Sequence, residues 1–254
     1  MSELVRYRAR LAYVGTDFHG WQRQKNAPRT VQAVLEKALG RLAGGPVPAH
    51  AAGRTDAGVH ADGQVVHFDM TPSRMPERIL EAINALLPWD VRVFEVEKAP
   101  PDFHARRDAL WKEYLYRWSR ARVIAPRDSP FVAPLSPRAE AQRMLAAARD
   151  LPGRRDFGVF GVRRAAGESS VRNLHFVRIE ERGEEIQALF RGDAFLRGMV
   201  RAICGVLADV GRGKAPVGRV AELIETQDRG LLAPKAPACG LTLVRVSYES
   251  AEME

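Results

Sequence analysis

Arg54, Thr55 and Asp56 place a guanidinium, a hydroxyl and a carboxylate side by side in the run Gly53 to Phe68, G-R-T-D-A-G-V-H-A-D-G-Q-V-V-H-F. An ionised carboxylate in such a setting can act as a nucleophile or a base. The same residue types have a plainer use. Asp in a Gly-flanked turn bonds back to local backbone, and Gly53, Gly58 and Gly63 punctuate this stretch. Other chemistries lack their signatures. The chain has no P-loop, no G-x-G-x-x-G and no C-x-x-C, so nucleotide-dependent transfer and structural zinc have no motif. Its six histidines, at 19, 50, 60, 67, 104 and 175, have no metal spacing, and the H-x-E and C-x-x-C pair of a base deaminase is missing.

The elements that must position these residues can be read from periodicity. Val66, Phe68 and Met70 alternate with Val65, His67 and Asp69, which predicts a half-buried strand after the Asp56 turn. Ahead of it, Val5 to Val14 reads as a strand, and a polar loop with Gly15, Asp17 and Gly20-Trp21 follows. Thr30 caps a helix with Val31, Val34, Leu35, Ala38, Leu39 and Leu42 on one face, stopped by Gly44-Gly45. A short strand spans Val47 to Ala52. Pro76 opens a second helix that Pro88 closes, and Val91 to Val96 is a strand. The order is β-α-β-β-α-β.

The order then recurs. Ala109 to Arg120 reads as a strand with Tyr114, Tyr116 and Trp118 on one face, and Ser136-Pro137 as an N-cap and first helical position. Val171 to Glu181 and Glu185 to Arg191 form a hairpin turning near Gly183. A long helix carries Phe195, Leu196, Met199, Val200, Ile203, Cys204 and Leu207 on one stripe and ends at Gly211. A short helix near Val217 to Thr226 precedes a last strand, Leu241 to Tyr248. The expected class is α+β, with two ferredoxin-like halves, residues 1–103 and 104–254, sharing an extended, mostly antiparallel sheet flanked by helices. The Pro100-Pro101 segment is a connector. The 120–134 stretch is a long loop suited to gripping a partner.

At 254 residues the chain has ample material for a core, and 46% hydrophobic and 28% charged residues are ordinary for a globular protein. The net charge of +8 is not, and it points to an anionic partner, nucleic acid first. Only six of the 39 basic residues are Lys. Arg suits bidentate phosphate contacts and stacking on bases, but genome base bias also enriches Arg. No apolar run approaches a membrane span, and the start, M-S-E-L-V-R-Y-R, lacks the apolar core of a signal peptide. Cys204 and Cys239 suggest neither a disulfide framework nor a metal site. A reducing cytoplasm is expected.

The run G-R-T-D-A-G-V-H-A closely resembles the signature of the tRNA pseudouridine synthases of the TruA type. Further blocks resemble the same family along nearly the whole chain: D-F-H-G-W-Q-R-Q from Asp17, T-V-Q at Thr30, F-H-A-R-R-D-A at Phe103, K-E-Y-L-Y at Lys112, R-D-F-G-V-F at Arg155, S-V-R-N-L at Ser170, F-L-R-G-M-V-R at Phe195 and A-P-A-C-G-L-T-L-V-R-V-S-Y at Ala236. Two departures stand out. Gly158-Val159 occupy a block that often contains serine, and Glu113 replaces a residue more often small or basic.

The resemblance implies that Asp56 is the catalytic carboxylate, with Arg54 beside it, Tyr114 packing the uracil, and Arg201 pairing with Asp56. On pattern alone Tyr114 would be an aromatic core residue and Arg201 a solvated surface residue. The implied reaction breaks the C1′–N1 bond of a uridine, turns the uracil and rejoins it through C5. Atoms are conserved, so neither cofactor nor metal is required. The implied substrate is the anticodon arm of tRNA, at uridines 38 to 40, and the implied assembly is a homodimer. Two other readings compete: a pseudouridine synthase for another RNA, and a non-catalytic RNA-binding protein. RNA-binding modules of this shape usually display aromatic RNP motifs, which the chain lacks, and Asp56 would have no role in a pure binder.

Overall fold

In a computed structural model of the chain, residues 4–71, 75–162, 167 and 169–249 are described; Met1 to Glu3 of the M-S-E-L-V-R-Y-R start lie outside them. The fold is mixed α+β, as expected, with mostly antiparallel strands and five α-helices among the described residues. Two compact units divide it: 1–110 with 243–254, and 111–242.

In the first unit, β1 (Val5–Tyr13) lies between β3 (His60–Met70) and β4 (Val91–Lys98), antiparallel to both. The short β2 (His50–Ala51) pairs β3, and so does β10 (Leu241–Ser247) on the strand path. Gly63 permits the second pairing, because a Cβ there would sit 2.2 Å from the Val244 carbonyl oxygen. Tyr7, Ala9, Leu11 and Tyr13 bury one face of β1, while Arg6, Arg8 and Arg10 take the other. Helix α1 (Val31–Ala43) starts where Thr30 accepts a hydrogen bond from the Ala33 amide at 3.4 Å, and ends at Gly44 with φ +73°. Helix α2 (Pro76–Leu86) turns Ile79 and Ile83 inward. β3 is not half-buried, as its alternation predicted, but buried on both faces: Val65 and His67 are enclosed along with Val66 and Phe68.

In the second unit, β5 (Trp111–Ser119), β9 (Glu185–Gly192), β8 (Val171–Arg182) and β7 (Gly153–Asp156) form an antiparallel run, and β6 (Ala133–Pro134) adds to β5 in parallel. The β8–β9 hairpin turns at Gly183, whose φ is +63°. Three helices belong to this unit: α3 (Ala141–Ala148), α4 (Met199–Gly211) and α5 (Arg219–Thr226). α4 is buried nearly all round, with Arg201 and Asp209 its two partly exposed residues. Such a helix belongs to a core rather than a surface. Phe195 and Leu196 precede it, outside the helix.

Candidate active site

The Asp56 turn is fastened from beneath. Gln64, fully buried on β3, donates from Nε2 to the Gly53 carbonyl at 2.8 Å and accepts the Gly53 amide at 3.4 Å. Its Nε2 also reaches the Tyr13 hydroxyl at 3.4 Å, and that hydroxyl lies 2.8 Å from the Thr55 Oγ1. Burial pushes the Tyr13 pKa up to about 12, so this phenol stays protonated and neutral at physiological pH. Thr55 is therefore the buried member of the Arg54-Thr55-Asp56 trio, with Arg54 exposed and Asp56 half-buried above it.

A second loop clamps the first from the side. The Trp21 amide donates to the Thr55 carbonyl at 3.1 Å, and the Gly58 amide to the Phe18 carbonyl at 3.2 Å. The His60 Nδ1 accepts the Gly15 amide at 3.0 Å, which fixes the proton of the neutral ring on Nε2. Both glycines are needed for contact. A Cβ on Gly15 would fall 2.0 Å from the Val59 carbonyl oxygen, and one on Gly20, whose φ is +84°, would fall 2.7 Å from that of Thr55. Trp21 is buried to 2% exposure and serves packing. Of the groups that hold the turn, Thr55, His60 and Gln64 lie inside the Gly53–Phe68 run, whereas nothing in the spacing of Tyr13 marks it as their partner.

In the second unit Tyr114 lies on the core face of β5 with Tyr116 and Trp118, as the alternation predicted. Tyr116 and Trp118 are sealed, whereas Tyr114 keeps 8% exposure, its ring edge-on to Phe195 with centroids 4.9 Å apart. Arg201 is not the solvated side chain its helix pattern implied. It is half-buried, its Nε donates to the Ala236 carbonyl at 2.9 Å, and its own carbonyl accepts the Ala236 amide at 3.0 Å. The structure thus places Arg54 and Asp56 in the first unit and Tyr114 and Arg201 in the second. Among the described residues, no three His, Cys, Asp or Glu are grouped to hold a metal ion, and no helix is long and apolar enough to cross a membrane.

The sequence matches the family described as tRNA pseudouridine synthase over residues 9–108 and 147–249. A tRNA pseudouridine synthase A from Nitratidesulfovibrio vulgaris is 39% identical over 289 residues, covering 96% of this chain and 97% of the relative. One from Listeria monocytogenes is 39% identical across 97% of this chain and 100% of its own length. Another, from a Methylobacterium strain, is 40% identical over 96% of this chain and 98% of the relative. The chain belongs to the tRNA pseudouridine synthase family.

Both departures from the family pattern have local explanations. Glu113 is buried, but it is ion-paired with Arg191 at 2.9 Å, and that guanidinium stacks 4.2 Å from the centre of the Trp111 ring. It points to the opposite side of β5 from Tyr114, because neighbours on a strand alternate. The Phe157 to Phe160 block is a core turn with Phe157, Val159 and Phe160 all enclosed. Its Gly158 amide is held by the Asp156 Oδ1 at 2.8 Å, and its carbonyl accepts from Arg229 at 2.8 Å.

Proposed function

We propose that this chain is an isomerase that converts uridine to pseudouridine in tRNA, acting on the anticodon arm at positions 38 to 40. The observation that carries the reading is the Asp56 turn: it lies within the residues that match the family, and buried groups fasten it on two sides. A carboxylate that must meet one atom of an extruded nucleotide needs such a rigid base. In this reading Asp56 is the ionised catalytic group, either attacking the uridine or assisting removal of its proton. Arg54, exposed beside it, holds the space vacated by the extruded base. Tyr114 offers its ring to the uracil and its hydroxyl near C5, and Arg201 keeps the Asp56 carboxylate charged and aimed. The enzyme is cytoplasmic in this reading, and it works as a homodimer on the strength of the family resemblance.

The test is incubation of purified protein with an unmodified tRNA transcript, without cofactor, followed by digestion and chromatography of the nucleosides. A new isomer of uridine, mapped to the anticodon arm, is the expected product. It should also form in EDTA when the substrate is a prefolded anticodon stem-loop. Asp56→Ala should abolish it while RNA affinity stays within a few-fold, because phosphate contacts dominate binding. Substantial turnover by that variant would remove Asp56 from its role. Light scattering on the active preparation should give a dimer mass, and a monomer there would refute the assembly.

A further inference from the structure

Three of the four tryptophans are sealed in the core: Trp21 at 2% exposure, Trp111 at 0% and Trp118 at 1%. Trp89 is 73% exposed. Nothing about the fold of the first unit needs an indole there, since the turn between α2 and β4 is held by other groups. Arg92 donates from one Nη to the carbonyls of Leu87, Pro88 and Val91, and the Val91 amide bonds to the Pro88 carbonyl at 3.2 Å. Asp90 is buried, its carboxylate gripped by both Nη atoms of Arg29 at 2.8 and 2.9 Å, and its carbonyl accepts the Val14 amide at 3.0 Å. A large aromatic ring thus stands in water on a turn whose backbone is pinned on either side.

That turn belongs to the same rigid assembly as Asp56. The Arg29 guanidinium lies 4.1 Å from the centre of the Phe18 ring, and the Phe18 carbonyl receives the Gly58 amide of the Asp56 turn. Val14, bonded to Asp90, precedes Gly15, which His60 and Val59 enclose. The local charge suits a polyanion. The Asp90 carboxylate is neutralised by Arg29, Arg92 three residues after Trp89 is exposed, and the whole chain carries +8.

We propose that Trp89 is a stacking platform for an unpaired base of the RNA substrate, held by the same framework that fixes the Asp56 turn. Aromatic rings stack on bases of any sequence, and single-stranded loops are where RNA offers unstacked bases. The inference rests on the RNA substrate proposed above.

The test uses the intrinsic fluorescence of the full-length protein, because Trp89 is the one tryptophan that a neutral quencher such as acrylamide reaches readily. An anticodon stem-loop RNA should quench the emission and remove the acrylamide-accessible fraction, and a blunt RNA duplex of equal length should do neither. Trp89→Phe should lose both signals while binding RNA within about threefold of the parent. Trp89→Ala should weaken stem-loop binding about tenfold, raising KM and leaving the single-turnover rate at saturating enzyme unchanged. Unchanged acrylamide access at saturating stem-loop, or equal protection by the duplex, overturns the proposal. So does an indole already shielded in free protein and exposed on dilution, which would make it a subunit contact. Isomerisation without shielding sinks this inference alone, whereas shielding without isomerisation sinks the isomerase reading alone.

Discussion

Arg127 leaves 89% of its side chain in water, while Arg201 is half-buried and tied to Ala236 through both its guanidinium and its backbone. The two arginines should therefore fail in different ways. If Arg201 keeps the Asp56 carboxylate ionised, Arg201→Gln should slow turnover by orders of magnitude, because a carboxylate deprived of its cation shifts toward the neutral acid. The salt dependence of tRNA binding should stay as it was, since that slope counts phosphates neutralised. If the 120–134 loop grips the RNA, Arg127→Gln should do the reverse, flattening the slope by about one phosphate and sparing single-turnover chemistry. An Arg201→Gln protein with a flattened slope and an intact saturated rate would be a phosphate contact, and the assignment would be wrong. The site candidates were legible as a motif rather than as a pattern. The alternation along β5 put Tyr114 in the core, and α4 periodicity put Arg201 on the surface; the signature alone raised both to candidates. Trp89 carries no such mark, because an exposed tryptophan and a buried one look identical in sequence.

At the level of elements, the Asp56 turn depends on the loop that includes Gly20. Gly20→Ala would strain a backbone at φ +84° and drive a Cβ to 2.7 Å from the Thr55 carbonyl oxygen. The two costs together should destabilise the protein by about 2–4 kcal/mol and lower turnover by displacing Asp56. Gly44→Ala is the control. Its φ is +73° but nothing lies within 4 Å of a Cβ, so it should cost about 1 kcal/mol and spare activity. Urea midpoints and initial rates for both variants check this; equal losses in the pair would mean that backbone strain alone matters. The same distinction explains which elements were readable. Thr30, Gly44 and Pro76 mark helix ends through local chemistry, and those ends were placed. Ser136-Pro137 looked like a helix start but closes a turn, with the Ala139 amide on the Ser136 carbonyl at 3.0 Å. The helix begins at Ala141, after the Glu140 amide is taken by the Gly211 carbonyl at 2.9 Å, a contact with no trace in local sequence. β7 has four exposed residues and no alternation, so only its pairing with β8 makes it a strand.

For the molecule as a whole, acid stability should be governed first by histidine and only later by carboxylates. His67 is 3% exposed, and its ring stacks on His50 at 4.9 Å between centroids, with His104 at 4.6 Å. Its Nδ1 accepts the Ala105 amide at 3.1 Å, which docks the connector onto β3. Burial, then the neighbouring His104, His50 and Arg6, lower its pKa to about 4. His104 is lowered as well, chiefly by burial. The unfolded chain therefore binds protons that the folded one refuses between about pH 6.5 and 4. Stability should be complete above that window and fall as pH drops through it. A separate loss should follow at lower pH. There the carboxylates of Asp69, Glu95 and Glu185, depressed chiefly by hydrogen bonds from Arg6, Arg10 and Arg117, take up protons. His67→Asn keeps an acceptor close to the Nδ1 position and does not titrate, so it should flatten the first window and leave the second. The measurement is the urea midpoint followed by circular dichroism from pH 8 to 3. A variant whose midpoint still falls as steeply as the parent's between pH 6.5 and 4 would show that the loss comes from other groups, and that His67 is not the acid-sensitive member of the fold.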